Sequence, residues 1–322
     1  MPPFLLAAAR RVVPLLAALS LAATTAHAAA PQLKTQAPGW YRIMLGDFEI
    51  TALSDGTLEL PVDQLLTNTT PAKTREALAR AFQKAPVETS VNAYLVNTGT
   101  KLVLVDAGTG GLFGPTLGKL VANLKAAGYQ PEQVDDIVIT HMHADHVGGL
   151  VNGDQLVFPN ATLHADQRDA DYWLSAANME KAPEDAKGFF KGAMASVGPY
   201  VKAGKFKSFT DDGEIVPGVR ARTARGHTPG HSTYVVESRG QKLVFWGDLM
   251  HVAAVQFPDP AVTIRFDVDP RAAAVQRKRA YAEAAKEGYL VAGAHLAFPG
   301  IGRLRSLGAG FVFVPVPYAV PR

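Results

Sequence analysis

A single α/β domain with helices packed on sheets is the fold the sequence predicts, on three observations. Short, continuous apolar runs that read as strands buried on both faces alternate with segments of helical spacing. No low-complexity linker interrupts that alternation after residue 40. Hydrophobic residues make up 48% of the 322-residue chain and charged residues 19%, enough apolar material for one sizeable core.

The first thirty residues stand apart. Arg10 and Arg11 precede the apolar run Val12 to Leu19, and Ala26-His27-Ala28 forms an A-x-A cleavage pattern. Residues 1–28 therefore read as a signal peptide, leaving one domain over residues 29–322 and a protein exported to the periplasm or secreted. The arginine pair also fits a twin-arginine export route.

Within the domain, Leu102-Val103-Leu104-Val105 reads as a buried strand ending at Asp106. Leu117, Leu120, Val121 and Leu124 have the i, i+3, i+4, i+7 spacing of a helix, with Pro115 at its start and Gly128 at its end. Ile137-Val138-Ile139 is a strand that runs straight into THMHADHVGG, and Thr233 to Val236 and Leu243 to Trp246 are two more. A helix from Arg271 to Glu287 stops at Gly288 and gives way to the strand Tyr289-Leu290-Val291. The basic run Arg277-Lys278-Arg279 inside that helix reads as a solvated face.

Composition removes several function classes. The net charge of +3 includes Arg10 and Arg11, so the cleaved chain sits near +1, which argues against nucleic acid as a partner. Nothing after the cleavage point calls for stable membrane association. There is no cysteine, hence no disulfide, and any metal must be held by nitrogen and oxygen. Gly108-Thr109-Gly110-Gly111 follows a strand as a dinucleotide-binding turn would. The G-x-G-x-x-G pattern then requires glycine where Phe113 stands, so a nucleotide cofactor is not expected.

The chain has nine histidines, and three of them share residues 141–146 with one aspartate. His141 and His143 follow a strand with one residue between them, so in extended chain both rings can face one point. Asp145 and His146 come as the chain turns toward Gly148-Gly149. Four such ligands exceed what one tetrahedral ion takes from so short a loop, which suggests two metals. Further donors stand at Gly226-His227-Thr228-Pro229-Gly230-His231, at Gly247-Asp248 after an apolar strand, and at Val291-Ala292-Gly293-Ala294-His295.

HMHADH, GHTPGH, the later Gly-Asp and Ala-His, and Asp106 in LVDAG together resemble the ordered motifs of the metallo-β-lactamase superfamily. The resemblance implies an αββα sandwich, two mixed sheets flanked by helices, with a dinuclear site along one edge. It also implies that His141, His143 and His227 hold the first ion and Asp145, His146 and His295 the second, with Asp248 bridging. Asp106 would orient a ligand histidine from behind. His231 is expected to stabilise its loop, and His164 has no assigned role. Such ligands suit zinc and tolerate cobalt, manganese or iron. The reaction implied is hydrolysis by a metal-bridging hydroxide held at Asp145 and Asp248, with no redox cofactor. The absence of cysteine together with the presence of Asp248 argues against a β-lactamase, and only 27 residues follow His295, too few for the helical domain of the glyoxalase-type thioesterases.

Over nearly the whole mature chain, YRIMLGDFEITALSDGT, FQKAPVETSV, LVNTGTKLVLVDAG, KGFFKGAMAS, VKAGKF, VAAVQF and AHLAFPGIG are similar to the methyl parathion hydrolases, exported dimeric phosphotriesterases of the superfamily. That similarity implies a homodimer and a leaving-group pocket walled by Phe113, Trp173 and Phe190. The chain departs at His251, where those enzymes carry an aliphatic residue, and at Ile264 and Phe266, which are bulkier than expected there. A polar imidazole and a narrower pocket suit planar lactones and aryl esters better than a tetrahedral phosphotriester. The expected substrate is thus a small-molecule lactone or ester, with phosphotriester hydrolysis a side activity or, alternatively, the main one. A non-enzymatic metal- or solute-binding protein is the rival, and the filled ligand set disfavours it.

Overall fold

The computed structural model describes residues 30–321, and the expected signal peptide lies outside them. Among the described residues, every helix and strand belongs to the compact unit that begins at Ala37.

Seven strands form a first mixed sheet in chain order: β1 (Trp40–Leu45), β2 (Phe48–Leu60), β3 (Val87–Asn97), β4 (Leu102–Val105), β5 (Asp136–Val138), β6 (Thr162–Asp166) and β7 (Phe206–Phe209). The first four pair antiparallel and the last four pair parallel. A second sheet follows in the same sequential manner: β8 (Gly213–Val216), β9 (Val219–Thr223), β10 (Ser232–Ser238), β11 (Gln241–Phe245), β12 (Leu290–Ala292), β13 (Ile301–Leu307) and β14 (Gly310–Pro315). Only β11 and β12 pair parallel in it.

Strand β4 explains the continuous apolar runs. Val103 and Val105 join Tyr94, Tyr234, Phe245 and Ala292 in the layer between the sheets. Leu102 and Leu104 point the other way, to a core shared with Leu120, Leu124, Phe158, Val197 and Tyr200. With both faces buried, period-two alternation has nothing polar to display. On the far side of the second sheet, Val244, Trp246 and Val291 pack against Tyr281 and Ala284 of the helix Pro270–Glu287. The layers are helix, sheet, sheet, helix, the αββα sandwich that the resemblance implied.

Two expectations need correction. The helix expected from Pro115 begins only at Leu120, because Gly118 takes φ +75° and Leu117 reaches the core from a turn. Arg277 is not solvated: it is completely buried, on the same face of its helix as Ala273, Tyr281 and Ala284, while Lys278 and Arg279 are exposed. The helix itself runs as read, opened by the Asp269 carboxylate accepting from Ala272 N–H and closed by Gly288 at φ +69°.

Candidate metal centre

Four strand ends deliver the donors to one edge. After β5 the chain stays extended through His143 (φ −69°, ψ 151°), then coils into the short helix Ala144–Val147. The change of conformation aims His141 and His143 at one point and Asp145 and His146 at another. His227 sits in the loop between β9 and β10, held against the Pro270–Glu287 helix by Gly226. That glycine has φ +145°, and a Cβ there would lie 2.2 Å from Ala273 N. Asp248 follows β11, and His295 follows β12 with Nδ1 donating to the Ser90 carbonyl at 2.9 Å.

Two donor groups result. His141, His143, His227 and Asp248 converge in one; Asp145, His146, His295 and Asp248 converge in the other. In the first, His227 Nε2 lies 3.2 Å from His141 Nε2, 3.0 Å from His143 Nδ1 and 3.3 Å from Asp248 Oδ2. In the second, His146 Nε2 lies 3.5 Å from Asp145 Oδ2 and 3.2 Å from Asp248 Oδ1, and His295 Nε2 is 3.4 Å and 3.2 Å from the same two oxygens. One oxygen of Asp248 thus faces each group.

These residues fit a pair of divalent ions. A tetrahedral ion with nitrogen and oxygen ligands at about 2.0–2.1 Å sets its donors about 3.3–3.4 Å apart. The observed spacings bracket that distance. His146 Nε2 and Asp248 Oδ1, which face the second group, are buried without a hydrogen-bond partner, a costly arrangement unless something else satisfies the cluster. The electrostatics point the same way. Burial, and then the neighbouring imidazoles, push His141 and His143 well below the usual histidine range, so both rings are neutral as ligands must be. Burial acts to lower His227 too, but hydrogen bonds to Asp248 and Asp267 push it up to about 9. Burial likewise opposes charge on His146, which the Asp248, Asp145 and Asp106 carboxylates hold well above its ordinary value. The cage attracts positive charge.

A ring of supporting groups fixes the ligand rings. Asp106 Oδ2 accepts from His146 Nδ1 at 2.8 Å, while its other oxygen accepts from Thr140 N–H at 2.8 Å. His231 is a brace: Nε2 accepts from Asp248 N–H at 3.0 Å and Nδ1 lies 3.2 Å from the Ala224 carbonyl. Burial and then the charge of His227 hold it down to about 3, so it stays neutral. His164, away from the site, pairs with Asp136 at 2.9 Å. Two partners escaped the sequence reading. Asp267 Oδ1 accepts from His227 Nδ1 at 2.8 Å. Asp169 accepts from Met142 N–H, Thr228 Oγ1 and Gly230 N–H, binding the 141–146 loop to the 227–231 loop. Neither stands in a local motif.

A cavity of about 410 Å³ opens beside the first group, lined by His143, Trp173, Phe189, Phe190 and Phe266 among others. His143 meets Trp173 with ring centroids 5.1 Å apart and Phe189 at 4.7 Å. Trp173 and Phe190 are thus brought together at the cavity, but Phe113 is not. It is 46% exposed on the glycine-rich 108–118 loop and absent from this lining. Phe189, unremarked in the sequence, provides the aromatic wall instead. Ile264, expected to narrow the pocket, is instead fully buried with Val252 and Val255 and absent from this lining. His251 is deeper than a wall residue: Nε2 is 3.0 Å from Asp248 Oδ2, and its ring stacks on His295 at 5.1 Å.

Two helix-backed mixed sheets whose common edge gathers five imidazoles and two carboxylates define a scaffold for two divalent ions. The chain belongs to the metallo-beta-lactamase superfamily, whose family model matches residues 86–295. Among solved structures it is similar to the hydrolase AbOPH of the beta lactamase superfamily, at 36% identity and a TM-score of 0.85, over 89% of this chain and 100% of that one. It is also similar to AidC, a dizinc quorum-quenching lactonase in complex with a product, at 26% identity and a TM-score of 0.82, over 88% and 99% of the two chains. An N-acyl homoserine lactonase from Bacillus sp is 29% identical over 164 residues, 45% of this chain and 57% of that protein. The chain thus spans little more than half the length of the curated relatives it matches. The relatives are lactonases and hydrolases of the superfamily, a coarser likeness than the specific one to methyl parathion hydrolases.

Proposed function

We propose that this chain is an exported dinuclear metal-dependent hydrolase that cleaves lactones and aryl esters, with phosphotriester hydrolysis a side activity. The observation that carries the reading is the aromatic cavity meeting the seven-donor cage at His143, one wall shared by both. The dizinc lactonase at a TM-score of 0.82 supports both the metal and the bond type.

His141, His143 and His227 would hold one ion, Asp145, His146 and His295 the other, and Asp248 both. Two ions held there, zinc by the relatives' example, would lower the pKa of a water toward neutrality and polarise the scissile carbonyl. The chain's own groups do the rest. Trp173, Phe189 and Phe266 stack against the planar part of the substrate and exclude water from it. His251, neutral because burial lowers its pKa, has its Nε2 beside Asp248 and its Nδ1 without a hydrogen-bond partner, and Nδ1 can orient a substrate oxygen. Asp145 is the most exposed cage member, with 24% of its side chain accessible against 3–4% for Asp248 and His295. It can therefore pass a proton between the cage and the leaving oxygen. Water adds across the bond: hydroxide to the acyl carbon, a proton to the departing alkoxide.

The deciding experiment is kcat/KM for dihydrocoumarin beside methyl paraoxon, on zinc-loaded enzyme. We expect the lactone to win by several orders of magnitude. A phosphotriester preference would assign the chain to the phosphotriesterases, and inertness to both would overturn the hydrolase reading. For export, the intact mass of the periplasmic protein should start near Ala29; retention of residues 1–28 would overturn it.

A further inference from the structure

Arg277 is completely buried, and its guanidinium reaches four places on one stretch of chain. Nε donates to the Leu249 carbonyl, one residue after the bridging Asp248. Nη1 donates to the Val262 carbonyl at 2.6 Å and the Pro260 carbonyl at 3.3 Å. Nη2 has no hydrogen-bond partner and lies 3.9 Å from Oδ2 of Asp267, whose other oxygen holds His227. The same Oδ2 accepts from Ile264 N–H at 3.1 Å. Residues 249–267, bracketed by these contacts, contain His251 and Phe266.

A buried arginine is expensive unless its donors are used, and a leucine or methionine would fill the same space against Tyr281 at less cost. What an apolar residue could not do is donate to three carbonyls at fixed angles while setting a positive charge 3.9 Å from the Asp267 carboxylate. We propose that Arg277 is a positioning residue for the metal centre: it fixes the Asp248 turn through Leu249 and the His227 ring through Asp267, holding two ligands of the first donor group at the spacing an ion needs. Neither contact involves substrate, so Arg277 is not catalytic. It acts on ligands of two different loops at once. The inference rests on the two-ion reading of the cage.

The test is zinc affinity, measured by competition with a chromogenic chelator on wild type, Arg277→Met, Asp267→Asn and the double variant, together with the visible spectrum of the cobalt-loaded forms. Wild type binding fewer than two ions per chain would sink the two-ion reading itself. Given two, Arg277→Met is expected to weaken the ion at His141, His143 and His227 about 10- to 100-fold, weaken the other less, through the shared Asp248, and alter the cobalt spectrum. The double variant should lose less than the sum of the two single ones, because the effect of each on His227 runs through the same contact while only Arg277→Met also frees the Asp248 turn. If Arg277→Met melts at a lower temperature but binds both ions as wild type does, Arg277 is only scaffold and the proposal fails. Should Arg277→Met not fold, Arg277→Lys decides: it keeps the charge without the fork, and unchanged affinity for both ions would equally overturn the proposal.

Discussion

Asp106 Oδ2 lies 2.8 Å from Nδ1 of His146, on the side of the ring opposite the donor group that its Nε2 faces. The carboxylate thereby fixes the tautomer with the proton on Nδ1 and leaves Nε2 free to ligate. Asp106 does so from a left-handed backbone, φ +60°, which asparagine also tolerates. Asp106→Asn should therefore fold, yet lose about 10- to 100-fold in affinity for one zinc ion by competition titration. An unchanged affinity would remove the orienting role.

Asp169 makes a different demand. Its carboxylate takes three donors from two ligand loops, all buried. Asp169→Ala leaves Met142 N–H, Thr228 Oγ1 and Gly230 N–H unpaired, for a loss of about 2–4 kcal/mol in urea unfolding of the metal-free protein. A loss under about 1 kcal/mol would mean the loops are held together by other means.

Acid should destabilise the fold through His164. Burial holds this ring below its ordinary value, so on acidification the unfolded chain takes up the proton first. The unfolded state then binds more protons, and stability falls as pH drops through about 6.5. His164→Gln should flatten that limb of a melting-temperature profile between about pH 7 and 5. If wild type and variant lose stability in parallel, other groups carry the acid response.

Metal removal is the broadest check. Because the donors come from four strand ends, ions bound there link segments that the chain joins only through loops. Chelation should lower the melting temperature and zinc should restore it. Equal melting with and without metal would show that the cage is held by packing alone.

Strands β4, β5, β10, β11 and β12 could be read from sequence because they are buried on both faces, and β4 announces itself by four aliphatics in a row, whereas half-exposed strands such as β1 and β14 could not. Most ligands could be read because they follow such strands within a few residues, and His227 because it stands in the glycine-flanked run Gly226 to His231. What could not be read acts across distance. Asp267 finds His227 forty residues away, Asp169 reaches Met142 and Gly230, and Arg277 reaches Leu249. A charged run on a helix looks solvated until one knows which face meets the sheet, and that is how Arg277 was misread. Phe113 failed for a related reason: the glycine-rich loop that carries it leaves the ring out of the cavity lining.

The sequential strand order of the two sheets has a last consequence. Cut the chain between Phe209 and Gly213 and each piece keeps one entire sheet, yet neither keeps a complete set of donors. The first piece has His141, His143, Asp145 and His146; the second has His227, Asp248 and His295. Each ion would take ligands from both pieces, so the pair would rivet the sandwich shut across its seam. A slip of one sheet along the other would be felt at both ions together, which makes the chemistry a gauge of how the two halves are seated.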